Sequence, residues 1–167
     1  MFWNRPVTPE DYERISGFPQ NDTELFYMYP SAAFPLTPAQ IERNAASRFH
    51  PTVVVHEHDG RVAGFANLYD VEEGRWCWLG NVIVDPEFRG QGAAAALIRT
   101  MIGLARDELK VPKLRLCCHN TNTLGLLFYT KQGFVPYSIE KRQIGSRTVA
   151  CIYMETGTGL AEGGEVT

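Results

Sequence analysis

Midway along the chain the hydrophobic period switches from strand-like to helical, and that switch limits the folds open to it. "TVVVHEH", Asp59-Gly60 and "RVAGFANLYDV" are two β-rich runs around a two-residue turn, the pattern of a hairpin. "GRWCWLGNVIVD" adds a third strand, long enough to bend or bulge. Beyond Gly92 the spacing is helical: Ala94, Leu97, Ile98, Met101 and Ala105 make one apolar stripe, so a helix is expected from Ala93 to about Leu109. Val111-Pro112 ends it, and "KLRLCCH" returns to strand. Consecutive hairpin strands followed by a strand–helix–strand crossover call for a mixed sheet flanked by helices.

The rest of the chain fits around that centre. Phe2 to Val7 reads as a first strand, and Thr8 as the cap of a helix with Pro9 first and Glu10 and Asp11 in its opening turn. "FPQNDTELFYMYPSAAFPL" reads as irregular chain with one short helical turn, and Thr37-Pro38 opens a helix through "AQIERNAASRF". "NTNTLGLLFYTKQ" is a helix ended by Gly133, and "FVPYSIEKRQI", Gly145-Ser146 and "RTVACIYMET" form a closing hairpin. The order β-α-(α)-β-β-β-α-β-α-β-β defines one α/β domain (an α+β mixed sheet) over residues 1–156. Residues 157–167, "GTGLAEGGEVT", are glycine-rich and acidic and are expected to form a flexible C-terminal tail.

Charge and composition narrow the partners. A net charge of -3 and a scattered basic cluster, "EKRQIGSR", argue against a nucleic-acid footprint. No run approaches 18 apolar residues, and "MFWNRPVTPEDYE" has no secretory character, so a cytoplasmic protein without membrane attachment is expected. Cys77, Cys117, Cys118 and Cys151 lack CxxC spacing and read as reduced, buried thiols, with no metal site expected.

"VDPEFRGQGAAAAL" spends glycines and alanines where a core would want bulk. A helix start leaves amide N–H groups unpartnered and favours negative charge, and glycines let an anion approach the main chain. The segment thus reads either as a pyrophosphate cradle with Arg89 adding positive charge, or as a tight strand-to-helix turn with no ligand. The P-loop lysine and the third glycine of the dinucleotide fingerprint are both missing. Downstream, Asn122 and Tyr129 stand seven apart with Gly125 between them, a spacing that places both on one helical face.

Taken together, "VIVDPEFRGQGAAAALI" and "NTLGLLFYTKQGF" resemble the GNAT superfamily of acyl-CoA-dependent N-acetyltransferases, in detail from Leu79 to Phe134. The resemblance implies a GNAT-type fold and an enzyme moving an acetyl group from acetyl-CoA to a primary amine of a small molecule or protein. By that resemblance, main-chain groups of Val82, Ile83 and Val84 pair with the pantetheine arm. The amides of Arg89, Gly90, Gln91, Gly92, Ala93 and Ala94 wrap the pyrophosphate. Asn122 bonds the cofactor arm, Gly125 stands where alanine is usual, and Tyr129 is the general acid. No metal is implied.

The usual glutamate on the central strand is absent: "RWCWLGN" carries no carboxylate. Asn81 can orient a water or substrate but cannot accept a proton. His119 is the first substitute for the base, with Asp70 and Glu72 behind it. Glu24, Phe26, Tyr27 and Tyr29 offer an acceptor wall of aromatic surface with one acid, or simply cover for the sheet edge. A non-catalytic acyl-CoA-binding or regulatory module, and a nucleotide-binding protein, are the rival readings. The closing hairpin offers an edge that could pair across a homodimer.

Overall fold

The computed structural model describes residues 1–163. In chain order the elements are β1 (Phe2–Pro6), α1 (Asp11–Ser16), α2 (Asp22–Met28), α3 (Pro38–Ala46), β2 (Phe49–His56), β3 (Val62–Glu72), β4 (Trp76–Val84), α4 (Ala93–Asp107), β5 (Lys113–His119), α5 (Thr123–Lys131), β6 (Val135–Ile144) and β7 (Arg147–Gly157). A 3-10 turn, Pro86–Phe88, lies between β4 and α4. The seven strands are ordered β1-β2-β3-β4-β5-β7-β6. β4 and β5 run parallel, pairing Trp76 with Lys113, Cys77 with Leu114 and Trp78 with Arg115, as a crossover through α4 demands. This is the expected mixed sheet with helices.

The chain forms two compact units, one of residues 1–68 and 80–101, the other of residues 69–79 and 102 onward. In the first, Ile15 of α1, Phe18 just after it, Leu25 and Met28 of α2, and Ile41 and Ala45 of α3 pack with Val53, Val55, Phe65 and Ile83. Gly64 allows that unit its tightest approach. A Cβ there would stand 3.1 Å from Val54 Cγ2, 3.3 Å from Ile83 O and 3.5 Å from Leu97 Cδ2, so any side chain would push against β2, β4 and α4 together. The hairpin turn spans residues 57–60 rather than two residues. Gly60 N–H donates to His56 O and His56 N–H to Arg61 O, both at 2.9 Å, and Gly60 takes φ +71°.

Two local expectations change. Thr8 does not cap α1; the cap position is Glu10, without a side-chain bond. Instead Asp11 turns back and accepts from Thr8 N–H at 2.7 Å, Thr8 Oγ1 at 3.1 Å and Arg5 Nη1 and Nη2 at 2.7 and 2.9 Å. A carboxylate offers more acceptor sites than a hydroxyl, and it can bind the guanidinium as well. Residues 22–28, expected as one turn inside irregular chain, form the seven-residue α2, capped by Asn21 Oδ1 accepting from Glu24 N–H at 2.8 Å. Thr37 caps α3 as expected, through Gln40 N–H at 3.3 Å.

In the second unit β7 lies between β5 and β6, and β6 is exposed along almost its whole length at the edge of the sheet. Leu114, Leu116, Phe134 and Met154 are buried there. Thr158, in the segment expected to be a loose tail, is 3% exposed. Its Oγ1 donates to Val111 O at 2.7 Å, and its N–H to Pro112 O at 2.9 Å. Residues 164–167 of that segment lie outside the described residues. Among the described residues no helix is long and apolar enough to cross a membrane.

Asp11 is 8% exposed; burial raises its pKa, but the Arg5 and Thr8 bonds outweigh that and hold it below the usual carboxylate range. Asp11→Asn should cost about 1–3 kcal/mol in urea unfolding at neutral pH. A carboxylate with a lowered folded pKa stabilises fully above its unfolded value of about 3.9 and loses that as pH falls through the folded value. The gap between parent and variant should therefore shrink below about pH 4 and be constant above it.

Candidate active site

The backbone before α4 has the geometry of an open anion cradle. Gly90 and Gly92 take φ +76° and +92°, a region that L side chains avoid, and a Cβ on either would meet nothing within 4 Å. Space over the loop is thus clear. Ala96 N–H donates to Gly92 O at 3.0 Å, so the amides of Ala93, Ala94 and Ala95, one residue or more ahead, precede the first helical bond and have no acceptor within the helix. Ala93 is buried and Ala94 half-buried, while Gly90, Gln91 and Gly92 are exposed. Gln91 Nε2 donates back to Glu87 O at 2.7 Å, and Arg89 N–H to Pro86 O at 3.4 Å, which hold the loop's entry. This donor set fits a diphosphate.

Arg89 does not extend its charge over the loop. Its Nη1 and Nη2 bind Glu24 at 2.8 and 2.9 Å, Nη2 also reaches Phe18 O at 3.4 Å, and Nε donates to Val84 O at 3.3 Å. The Arg89 guanidinium, helped by the Gln20 amide, holds the Glu24 carboxyl below its ordinary range. The loop is therefore tethered to α2, the helix that carries the expected acceptor wall. Phe26 is 8% exposed and belongs to the interior, whereas Tyr27 and Tyr29 are half-buried. Tyr29 packs against the core of this unit.

Within β4, Ile83 and Val84 are buried and Val82 half-buried. Asn81 adopts φ +54°, so the strand kinks at that residue. Its amide is engaged at both ends: Oδ1 accepts from Asn67 Nδ2 at 2.8 Å, and Nδ2 donates to Met28 O at 3.0 Å, which ties α2 to the sheet. Asparagine is the side chain that best tolerates a left-handed backbone while bonding locally.

The second unit holds Asn122, Gly125, Tyr129 and His119, with the further base candidates Asp70 and Glu72. Asn122 precedes α5 rather than lying on its face: it is the N-cap, its Oδ1 accepting from Gly125 N–H at 3.0 Å. A Cβ on residue 125 would stand 2.5–2.8 Å from three atoms of the Asn122 side chain. Gly125 thus makes room for its own helix cap, a reason the sequence alone did not supply. Tyr129 sits near the end of α5, its ring 5.4 Å from Phe128 and 5.7 Å from Phe134. The residue is half-buried overall, so desolvation acts at its hydroxyl end; together with nearby Cys118 it pushes the phenol above the ordinary tyrosine range. The group stays protonated at neutral pH and can donate.

His119 closes β5 and is 6% exposed. Burial, with a smaller contribution from Arg142, lowers its pKa, so the imidazole is neutral and basic at pH 7. Asp70 and Glu72 are exposed on β3. Side chains alternate along a strand, so Cys118, the residue acting on Tyr129, and His119 face opposite sides of β5. Cys117 shares the His119 face, and Cys151 lies opposite His119 on β7. Cys151 joins this cluster by register alone, and no local sequence signal announces it.

Residues 17–134 match the family model "Acetyltransferase (GNAT) family". No curated protein matches the chain. Among solved structures, an acetyltransferase of the GNAT family from Bacillus anthracis is similar, with a TM-score of 0.77 at 15% identity over 94% of this chain and 95% of that one. The ribosomal-protein-S18-alanine N-acetyltransferase from Escherichia coli aligns at 22% identity over 100% and 99%, with a TM-score of 0.71. Spermidine N-acetyltransferase from Vibrio cholerae, in complex with CoA and spermine, aligns at 19% identity over 95% and 96%, with a TM-score of 0.75.

The cap at α5 makes a sign-reversing test. Asn122→Ala should cost about 0.5–2 kcal/mol. Gly125→Ala in the parent should be neutral or destabilising, because the new methyl displaces the cap. In the Asn122→Ala background the same change should stabilise by about 0.5–1 kcal/mol, the ordinary helical preference for alanine. Equal effects in both backgrounds, measured by thermal unfolding, would remove this account of the glycine.

Proposed function

Because the chain belongs to the GNAT acetyltransferase family, we propose that it transfers the acetyl group of acetyl-CoA to a primary amine of a small molecule or protein by direct attack. One observation carries the reading: the open, positive-φ glycine loop at the start of α4. Acetyl-CoA, when bound, supplies the thioester. Gly90, Gln91, Gly92, Ala93 and Ala94 hold its diphosphate by main-chain amides, and Arg89 keeps the loop in place through Glu24. Val82, Ile83 and Val84 offer main-chain groups to the pantetheine arm as an added strand would. Asn122 keeps an amide nitrogen for that arm beside the cap bond its oxygen makes, and Gly125 leaves the surface there slim.

Tyr129 donates a proton to the departing thiolate. The phenol is protonated at neutral pH, as an acid must be when the bond breaks; burial raises its pKa and makes it a weaker acid, which charge on the departing sulfur must offset. The acceptor amine must arrive neutral, and free alkylamines, with a pKa of about 10.4, are uncharged in roughly one molecule per thousand at neutral pH. His119, on the face of β5 opposite the Cys118 that neighbours Tyr129, takes that proton from the other side of the strand, and burial keeps its imidazole neutral at pH 7. Tyr27 and Tyr29 face the acceptor's carbon body, Phe26 backs them, and Glu24 and Asn81 are the polar members of that wall. The chain works in the cytoplasm and needs no metal for transfer itself.

Free-thiol release from acetyl-CoA over an amine panel tests the reading. Tyr129→Phe should lower turnover about 100-fold or more while leaving cofactor affinity unchanged. Gly92→Val should abolish acetyl-CoA binding while the fold, followed by circular dichroism, survives. Binding without thiol release across the panel would make the chain a binding module. The neutral form of His119 persists to below pH 6.5, so turnover should hold to that point and fall beneath it. His119→Asn should remove that acid limb along with most of the activity.

A further inference from the structure

Acyl transfer by direct attack uses no thiol, yet two cysteines and a histidine converge on one face of the second unit. Cys117 and His119 are two apart on β5, and the β5–β7 register sets Cys151 against His119 and Tyr153 against Cys117. One donor atom from each of Cys117, His119 and Cys151 lies within 4.8 Å of the others. His119 and Cys151 are buried, Cys117 is half-buried, and all four cysteines are free thiols. The hydrogen-bonded ladder fixes the backbones of all three, so their closeness does not depend on a flexible loop.

Two thiols and an imidazole are a donor set suited to zinc. Tetrahedral bonds of about 2.3 Å to sulfur and 2.0–2.1 Å to nitrogen put the donors about 3.4–3.8 Å apart. Closing the cluster around an ion therefore requires side-chain rotations that move donors by about 1 Å, with the ladder unchanged. We propose that Cys117, His119 and Cys151 bind one zinc ion, leaving a fourth coordination position for water or for Glu140. Glu140 pairs with Cys151 across β6–β7, and its Oε2 accepts from Tyr153 O–H at 2.9 Å. Three protein ligands and one open position characterise a reactive zinc rather than a closed structural one.

Charge and protons balance. Each cysteine loses its proton to solvent as its Sγ bonds the metal, and two thiolates neutralise the 2+ ion. Burial and the Cys151 thiol push the Cys117 thiol well up, so the metal must displace its proton, and Arg142 of β6 offsets part of that; burial, then Arg142, lowers the pKa of His119. The Arg142 charge favours the thiolate and opposes the ion, so the site should select a cation that binds sulfur strongly over magnesium or calcium. The site shares His119 with the acetyltransferase reading, and a bound ion would take that imidazole out of use as a base; the metal titration is read without activity and tests the site alone.

The test is a metal titration of the reduced, chelator-stripped full chain. Cobalt(II) should bind at one equivalent with a thiolate-to-metal charge-transfer band and the intense visible bands of a tetrahedral ion, and zinc(II) should displace it. Cys117→Ser and Cys151→Ser should each weaken binding at least about 100-fold, whereas Cys77→Ala should leave it unchanged. Should the serine variants not fold, alkylation of the parent decides instead: zinc should shield Cys117 from iodoacetamide, read by mass spectrometry. Absence of the charge-transfer band in the reduced parent, its survival in both serine variants, or unchanged Cys117 alkylation would each overturn the proposal.

Discussion

A helix preceded by glycine begins with amides that no helical acceptor satisfies, and the segment before α4 depends on that condition. Gly90 and Gly92 supply the left-handed turns, and a Cβ at either would meet nothing within 4 Å, while Ala93 is buried and Ala94 half-buried. Everything nearby fixes the position of those amides. Arg89 anchors the loop to Glu24 and to Val84 O, and Asp85 caps the 3-10 turn by accepting from Glu87 N–H. Asp85 also pairs with Arg14 of α1. The cradle is therefore bare where an anion would enter and held firmly everywhere else.

Patterned elements were legible in the sequence, and residues defined by register or by local side-chain competition were not. The alanine helix, the parallel β4–β5 pair and the closing hairpin follow from period and punctuation, which act over a few residues. Thr8 looked like a cap, but its hydroxyl and its own N–H both donate to Asp11 three residues on, which also binds Arg5. α2 was hidden by flanking prolines, although Asn21 followed by Glu24 was a readable cap signal. The loop glycines, Asn122 and Tyr129 stood out as a joint pattern. Neither the Glu24–Arg89 pair, 65 residues apart, nor Asn67 beside Asn81 could have been found that way.

The alternation of β5 divides the chemistry of the second unit. One side carries Cys118 toward Tyr129; the other carries Cys117 and His119 toward Cys151 and the exposed β6. On that second side Trp76 is sandwiched between Arg75 and Arg115, and Arg115 is held by Glu155. A face this rich in charge and aromatic surface is not built for packing a helix.

The Arg89–Glu24 pair bears on how the loop would respond to ionic strength. A bare arginine attracts a diphosphate over a Debye length, about 8 Å at physiological salt, and that attraction fades as salt rises. Here Glu24 already balances the guanidinium, so what remains for an anion is contact with amide dipoles at hydrogen-bond distance. Recognition of that kind acts at close range, is little weakened by dissolved ions, and discriminates by the shape of the anion more than by its total charge.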